Sequence, residues 1–366
     1  MKAVVITRHA VSNYGSLLQA IATQWLIEQK GHECEIIDYI RDDEHYLIAD
    51  RTYLKNKPEW NSNIVKRIIY LSLRTPASIL VGKKFEEMRR KYLKTTKRYH
   101  NSLELKTDTP IADIYITGSD QVWGKIATGE YDGSYFLDFV ADKDNKVAVA
   151  SSFGHFPKLE EEKAWMSSLL KRYQKVAVRE DSAVSFLKEL DVCAEQVLDP
   201  TLMIDAQKWR TLAKTKKTKK YILVYQIHND KKLGKYAKRI AKKMGLPLIR
   251  ISSSLHQGVR EGKFVFSPDI SEFINYIDNA ECLITDSFHG TAFAINLNTE
   301  FIEILPNTNT GSRNQSILNL VGLTDRIVTD MDDLSFVDKR IDYGRVNAIL
   351  EREREKSIAI LNGMLE

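Results

Sequence analysis

Cysteine is scarce. Only Cys34, Cys193 and Cys282 occur in 366 residues, an odd number with no C-x-x-C spacing, each in or beside an apolar run. That excludes a disulfide framework as the source of stability and predicts buried, reduced thiols. Long apolar runs are absent as well: none approaches the roughly 18 residues of a membrane span. The apolar opening Ala3-Val4-Val5-Ile6 meets Arg8 and His9 too soon for a signal peptide, so a cytosolic protein is expected. The patterns H-x-E, G-x-S-x-G, the P-loop and G-x-G-x-x-G do not occur, and no histidine pair has metal-ligand spacing. Metal, serine-hydrolase and dinucleotide chemistry are thereby disfavoured.

Strong compositional bias is also lacking. With 43% hydrophobic and 28% charged residues the chain reads as globular throughout, and 366 residues exceed what one core usually serves, which predicts two domains. The net charge of +5 owes much to the run Lys214–Lys220 and to the stretch Lys231–Lys243. No nucleic-acid motif accompanies these runs, so they are read as solvated surface with no nucleic-acid partner.

What is present is an alternation of short apolar runs with helical periodicity. Residues 2–7 read as a strand, Leu17, Leu18, Ile21, Trp25 and Leu26 share one helical face capped at Gly31, and 35–40 read as a second strand. Further buried strands are expected at 113–117, 146–150 and 175–178, with helices at 160–172 and 182–190. The first domain is placed at 1–211, interrupted by a basic helical insertion at about 42–105. Within it, the cations and aliphatics of Lys66–Arg90 read as a helical packing face, with contact to an anionic membrane leaflet as the alternative. A linker at 212–220 precedes a second domain, 221–340, with strands at 221–227, 248–252, 282–286 and 300–305 and helices at 233–244, 272–279, 291–297 and 315–321. A last helix, 341–366, is apolar at Val346, Ile349, Leu350, Ile358 and Leu361 and is expected to pack back on the first domain. The fold class is α/β: two Rossmann-like, doubly wound domains facing a cleft that holds the chemistry.

Because open α/β sheets bind ligands at the carboxyl ends of their strands, the polar residues after each strand are the candidates. Asn13 and Gly15 precede a helix, where they serve either an anion or an ordinary N-cap. Gly118-Ser119-Asp120 follows the strand at 113–117, and Trp123 just beyond offers a wall for a sugar ring. Arg179 at the next strand end suits a carboxylate or phosphate, or else a structural pair with an acidic neighbour. Asp199-Pro200-Thr201 reads as a turn between the domains. Ser287-Phe288-His289-Gly290 runs from a strand end into a helix, and His289 alone of eight histidines sits at such a junction. It is placed to donate a proton or bind a phosphate oxygen, or else is a core histidine bonded to a carbonyl. Arg313, in a loop before a helix, offers another anion contact.

Six stretches in this order resemble the polysaccharide pyruvyl transferase family: N-Y-G-S-L-L-Q-A (13–20), T-G-S-D-Q-V-W (117–123), V-A-V-R-E-D (176–181), V-L-D-P-T-L (197–202), T-D-S-F-H-G-T-A-F-A-I-N (285–296) and R-N-Q-S-I-L-N-L-V-G-L (313–323). The resemblance implies a glycosyltransferase-B-like fold of two Rossmann-like domains. It also implies transfer of pyruvate from phosphoenolpyruvate to two sugar hydroxyls of an exopolysaccharide, capsule or cell-wall glycan precursor, giving a cyclic ketal and phosphate. No metal or redox cofactor is demanded, and the acceptor would be nucleotide-linked or lipid-linked, the latter placing the enzyme at the inner membrane face. His289 would act as general acid or phosphate ligand, Asp120 as base, Arg179 and Arg313 as holders of the donor's anions. Asn13, Gly15, Gly118, Ser119, Trp123, Ser287 and Gly290 would position the substrates. Ser287 stands where the family carries arginine, so a donor-binding cation is sought in Arg313, Arg8 or a lysine. The alternative readings are a nucleotide-sugar glycosyltransferase on the same architecture and a silent binding protein of a polysaccharide assembly.

Overall fold

The computed structural model describes residues 1–213, 220–306 and 311–366, so most of the lysine run and of the expected linker lies outside the described residues. The chain forms two compact units, Met1–Pro200 with Ala359–Glu366, and Thr201–Ile358. The first runs β1 (Lys2–Ile6), α1 (Tyr14–Glu28), β2 (Glu33–Tyr39), α2 (Ala49–Lys55), α3 (Pro58–Asn61), α4 (Ile64–Tyr92), β3 (Thr95–Tyr99), α5 (Ser102–Thr107), β4 (Ile114–Thr117), β5 (Lys146–Ser151), α6 (Glu160–Leu170), β6 (Lys175–Val178), α7 (Asp181–Glu189) and β7 (Glu195–Gln196). From α8 (Pro200–Met203), where the division falls, the chain continues with α9 (Ala206–Arg210), β8 (Ile222–Tyr225), α10 (Lys231–Met244), β9 (Leu248–Ser252), β10 (Lys263–Phe266), α11 (Ile270–Asp278), β11 (Cys282–Thr285), α12 (Phe288–Leu297), β12 (Phe301–Glu303), α13 (Ser312–Val321) and α14 (Tyr343–Leu365).

Both sheets are parallel throughout. The first has the order β3-β2-β1-β4-β5-β6-β7 and the second β10-β9-β8-β11-β12. Helical crossovers cover both faces of such sheets, which is why β1, β4, β8 and β11 are unbroken apolar runs buried at almost every position. In each sheet the winding direction reverses once, between β1 and β4 and between β8 and β11. At those points the loops after neighbouring strands diverge and leave room for a ligand.

Three expectations change. The segment 42–105 is not a helical insertion alone: it ends in β3, which pairs with β2. Thr95–Tyr99 is an edge strand with exposed and half-buried positions, so it lacks the apolar run that marks the central strands. The edge strand β10 escaped for a similar reason. The boundary falls at Pro200–Thr201, not at 212–220, because α9 packs with the second unit: Trp209 is fully buried there against Phe293. The turn at Asp199-Pro200-Thr201 is therefore the division itself. The last helix is shared, Tyr343–Ile358 counting with the second unit and Ala359–Glu366 with the first.

Trp123 is the clearest correction. It is fully buried, stacked on Phe136 at 5.0–6.4 Å from the rings of Phe136, Phe153 and Tyr173, and its Nε1 donates to Tyr135 O at 3.2 Å. No face is left for a sugar; the indole fills the core beneath β4 and β5. Trp123→Ala is expected to cost about 3–5 kcal/mol, read as a lowered urea midpoint with unchanged slope, whereas a sugar-binding role would leave stability intact.

Candidate functional site

At the carboxyl edge of the first sheet, β1 and β4 are joined side chain to backbone. Thr7 Oγ1 donates to Ser119 O at 2.8 Å and itself accepts from Gln19 Nε2 at 2.8 Å. Gly118 lies where an added Cβ would stand 2.9 Å from Val5, so its glycine serves strand packing. Asn13 caps α1, its Oδ1 accepting from Gly15 N at 2.7 Å, which is the N-cap alternative.

Asp120 follows in a left-handed conformation, φ 76°, uncommon for a residue with a side chain. Its Oδ2 accepts from Ser16 Oγ at 2.6 Å and its Oδ1 from Gln121 N at 2.8 Å, so the carboxylate is oriented by α1 and by its own turn. Ser119 Oγ and Arg179 Nη1 both donate to Asp199 Oδ2, at 3.2 and 2.6 Å, and Arg179 Nε lies 3.7 Å from Glu180. The Arg179 side chain is 2% exposed. Burial alone would weaken its charge, but Glu180, Asp199 and Asp120 raise its pKa above the ordinary value. The geometry matches the structural-pair alternative for Arg179: its charge is met by protein carboxylates at the seam of Ser119, Asp120 and Asp199. Arg8 is likewise engaged, over the Tyr135 ring at 5.2 Å and 3.8 Å from Glu44. Burial pushes the Glu44 pKa up, against the pull of Arg8 and Arg41.

The second sheet's edge is built differently. Thr285 Oγ1 donates to Tyr225 O at 2.7 Å, and Asp286 accepts Ile227 N and His228 N on its two oxygens at 2.7 and 2.9 Å. These bonds clasp β8 to β11 across the reversal point. Ser287 then caps α12, accepting from Gly290 N at 3.3 Å, so the helix begins at Phe288 and not at residue 291. His289 thus lies in the first helical turn, 93% buried, its ring edge-on to Phe288 with centroids 5.1 Å apart. Arg313 sets its guanidinium 5.9 Å from the same Phe288 ring. Gly290 is demanded by packing, since a Cβ there would stand 2.5 Å from Thr285 Oγ1.

Glu303, at the end of β12, was not anticipated. It is fully buried, accepts from Asn314 Nδ2 at 2.6 Å, and shares a short bond with Thr291 Oγ1. Burial pushes its carboxyl up to about 8; the bonds from Thr291 and Asn314 pull it down and the charge of Asp286 raises it. Its one signal in sequence is an acid inside the apolar run F-I-E-I-L. A carboxyl held above its unfolded pKa keeps a proton that the unfolded chain has lost, so stability falls as pH rises from about 4.5 to about 8. Glu303→Gln is therefore expected to leave stability near wild type at pH 5 and to raise it at pH 8, measured by urea unfolding at both; an equal change at both pH values would contradict the assignment.

The family model of the polysaccharide pyruvyl transferases matches residues 13–309. No curated protein matches the chain. Among solved structures, a UDP-GlcNAc 2-epimerase from Neisseria meningitidis bound to UDP-GlcNAc is similar at 10% identity and TM-score 0.50, covering 100% of this chain and 99% of that one. The Methanocaldococcus jannaschii UDP-GlcNAc 2-epimerase in complex with UDP-GlcNAc and UDP is similar at 14% identity and TM-score 0.49, covering 97% and 94%. At such identity the likeness to the Neisseria meningitidis enzyme concerns the fold alone: two Rossmann-like units in one chain. The matched span takes in the Asn13 cap, the Ser119–Asp120 turn, Arg179 and the His289 helix, and the chain belongs to the polysaccharide pyruvyl transferase family and is a transferase.

Proposed function

We propose that the protein transfers pyruvate from phosphoenolpyruvate to two hydroxyls of a glycan acceptor, a precursor of an exopolysaccharide, capsule or cell-wall polymer. The observation that carries this reading is the convergence of His289 and Arg313 on the Phe288 ring at the reversal point of the second sheet. A titratable imidazole and a permanent cation on one aromatic ring suit a donor that bears both a carboxylate and a phosphate and must be protonated at carbon. Ser287 is spent on capping α12, so Arg313 takes the place of the cation that the family carries at that position.

In the proposed reaction His289 delivers a proton to the methylene carbon of the donor while the first acceptor hydroxyl bonds to the adjacent carbon and releases its proton to water, from which His289 is reprotonated. The second hydroxyl then displaces phosphate from that carbon and closes the ketal, its proton leaving on the phosphate. Arg313 holds the donor's anionic groups and stabilises the phosphate as it leaves. Arg179, paired with Asp199, keeps Ser119 and the Asp120 turn in place.

The test is acceptor-dependent phosphate release from phosphoenolpyruvate over a panel of synthetic and lipid-linked glycosides. His289→Ala should lower kcat by about 10²-fold or more, and Arg313→Ala should act mainly on KM for phosphoenolpyruvate, both variants remaining folded. Absence of turnover with every acceptor, joined to thermal stabilisation by a nucleoside diphosphate and none by phosphoenolpyruvate, would replace this reading with nucleotide-sugar transfer.

A further inference from the structure

Half of the exposed large apolar side chains among the described residues fall between Leu47 and Leu80. Six of them, Ile64, Val65, Ile68, Ile69, Leu73 and Leu80, lie on α4 and are 44–72% exposed. Burial on this 29-residue helix is uneven: of its first seventeen residues only Tyr70 is buried, whereas Val81, Gly82, Phe85, Met88 and Arg89 are buried in the last twelve. At about 100° per residue, Tyr70, Val81, Phe85 and Met88 point within about 60° of one another and mark the side that meets the protein. The six exposed apolar residues fan over about 180° on the other side. The far half of the helix is anchored, Gly82 lying against the Tyr46 side chain and Arg89 donating to Ala10 O at 3.1 Å. The near half is braced from one side by Trp60 packing on Tyr70, with ring centroids 5.9 Å apart, and by Arg74 above the same ring. Its apolar fan is left outward.

Charge says what fits there. From Asn61 to Phe85 the chain carries five cations, Lys66, Arg67, Arg74, Lys83 and Lys84, and no acidic residue. Arg74 is met by Asp50 at 3.7 Å, while Lys66 and Lys83 lie exposed beside the fan, and a protein partner would have to match both the aliphatics and this positive charge. An anionic bilayer surface supplies both, taking the aliphatics at the level of the acyl boundary and drawing the basic side chains to its headgroups. No helix among the described residues is long and apolar enough to cross a membrane, so the contact would lie in the plane of the surface.

We infer that the outward face of α4 docks this enzyme on an anionic membrane surface. The packing-face reading of this stretch holds for the anchored half of the helix and, in the near half, for the side that carries Tyr70. The inference stands apart from the choice of donor, since it concerns no residue assigned to the chemistry.

The experiment is flotation of the full chain with vesicles of phosphatidylcholine alone or with a third of phosphatidylglycerol, at low and high salt. Wild type is expected to float with the anionic vesicles at low salt and to be released by high salt or by omission of the anionic lipid. The variant I68S/L73S should lose at least about tenfold in partitioning, and K66Q/K83Q should lose about 25-fold at low salt, each surface cation contributing about fivefold. Both pairs are exposed, so circular dichroism and melting should match wild type. Lack of flotation at low salt overturns the proposal, as does flotation that I68S/L73S leaves unchanged. Sedimentation showing self-association that I68S/L73S abolishes, without vesicle binding, would assign the face to a second copy of the chain.

Discussion

Two hydrogen bonds accepted by one carboxylate organise the carboxyl edge of the second unit's sheet: Asp286 holds Ile227 N and His228 N on separate oxygens. Sheet pairing ends at Thr285 with Tyr225, and beyond it the strands would part. Bonds of this charge-assisted kind are each worth about 1.5–3 kcal/mol, enough to fix the direction in which the chain leaves β11. From that direction follow the Ser287 cap, the helical setting of His289 and the seat of Phe288 between His289 and Arg313. The first unit solves the same problem with hydroxyls, Thr7 to Ser119 O and Ser16 to Asp120.

The two edges differ in charge economy. Around Arg179 the first unit gathers Asp199, Glu180 and Asp120, so its cation is answered from within. At the second edge the Arg313 guanidinium lies 5.9 Å from the Phe288 ring. Glu303 adds no negative charge there while it holds its proton, and it ties Thr291 of α12 to Asn314 of α13.

Much of this was legible beforehand. An apolar run ending in polar residues marks a strand of a parallel sheet and its carboxyl edge together, so β1, β4, β8 and β11 and the residues after them were found by one criterion. That criterion could not tell Trp123 from Ser119 and Asp120: all follow the same strand, but the indole turns into the core where Phe136, Phe153 and Tyr173 receive it. Glu303 was hidden because its partners come from other elements and only the assembled fold makes an acid there tolerable. The boundary at Pro200–Thr201 was hidden by the conspicuous lysines after it, since burial of Trp209, which decides the matter, has no local signature.

The sharing of α14 bears on how the protein is made. Leu361, Met364 and Leu365 are buried and belong with the first unit, yet they follow the whole of the second along the chain. During synthesis, at roughly 5–20 residues per second, the first unit waits roughly 10–30 seconds from the emergence of β7 until these side chains arrive. Over that interval the second unit can complete its own sheet while the first still shows the surface they will cover. Assembly is thus out of order with respect to the sequence, and the enzyme's N-terminal half reaches its finished state only after its C-terminal half.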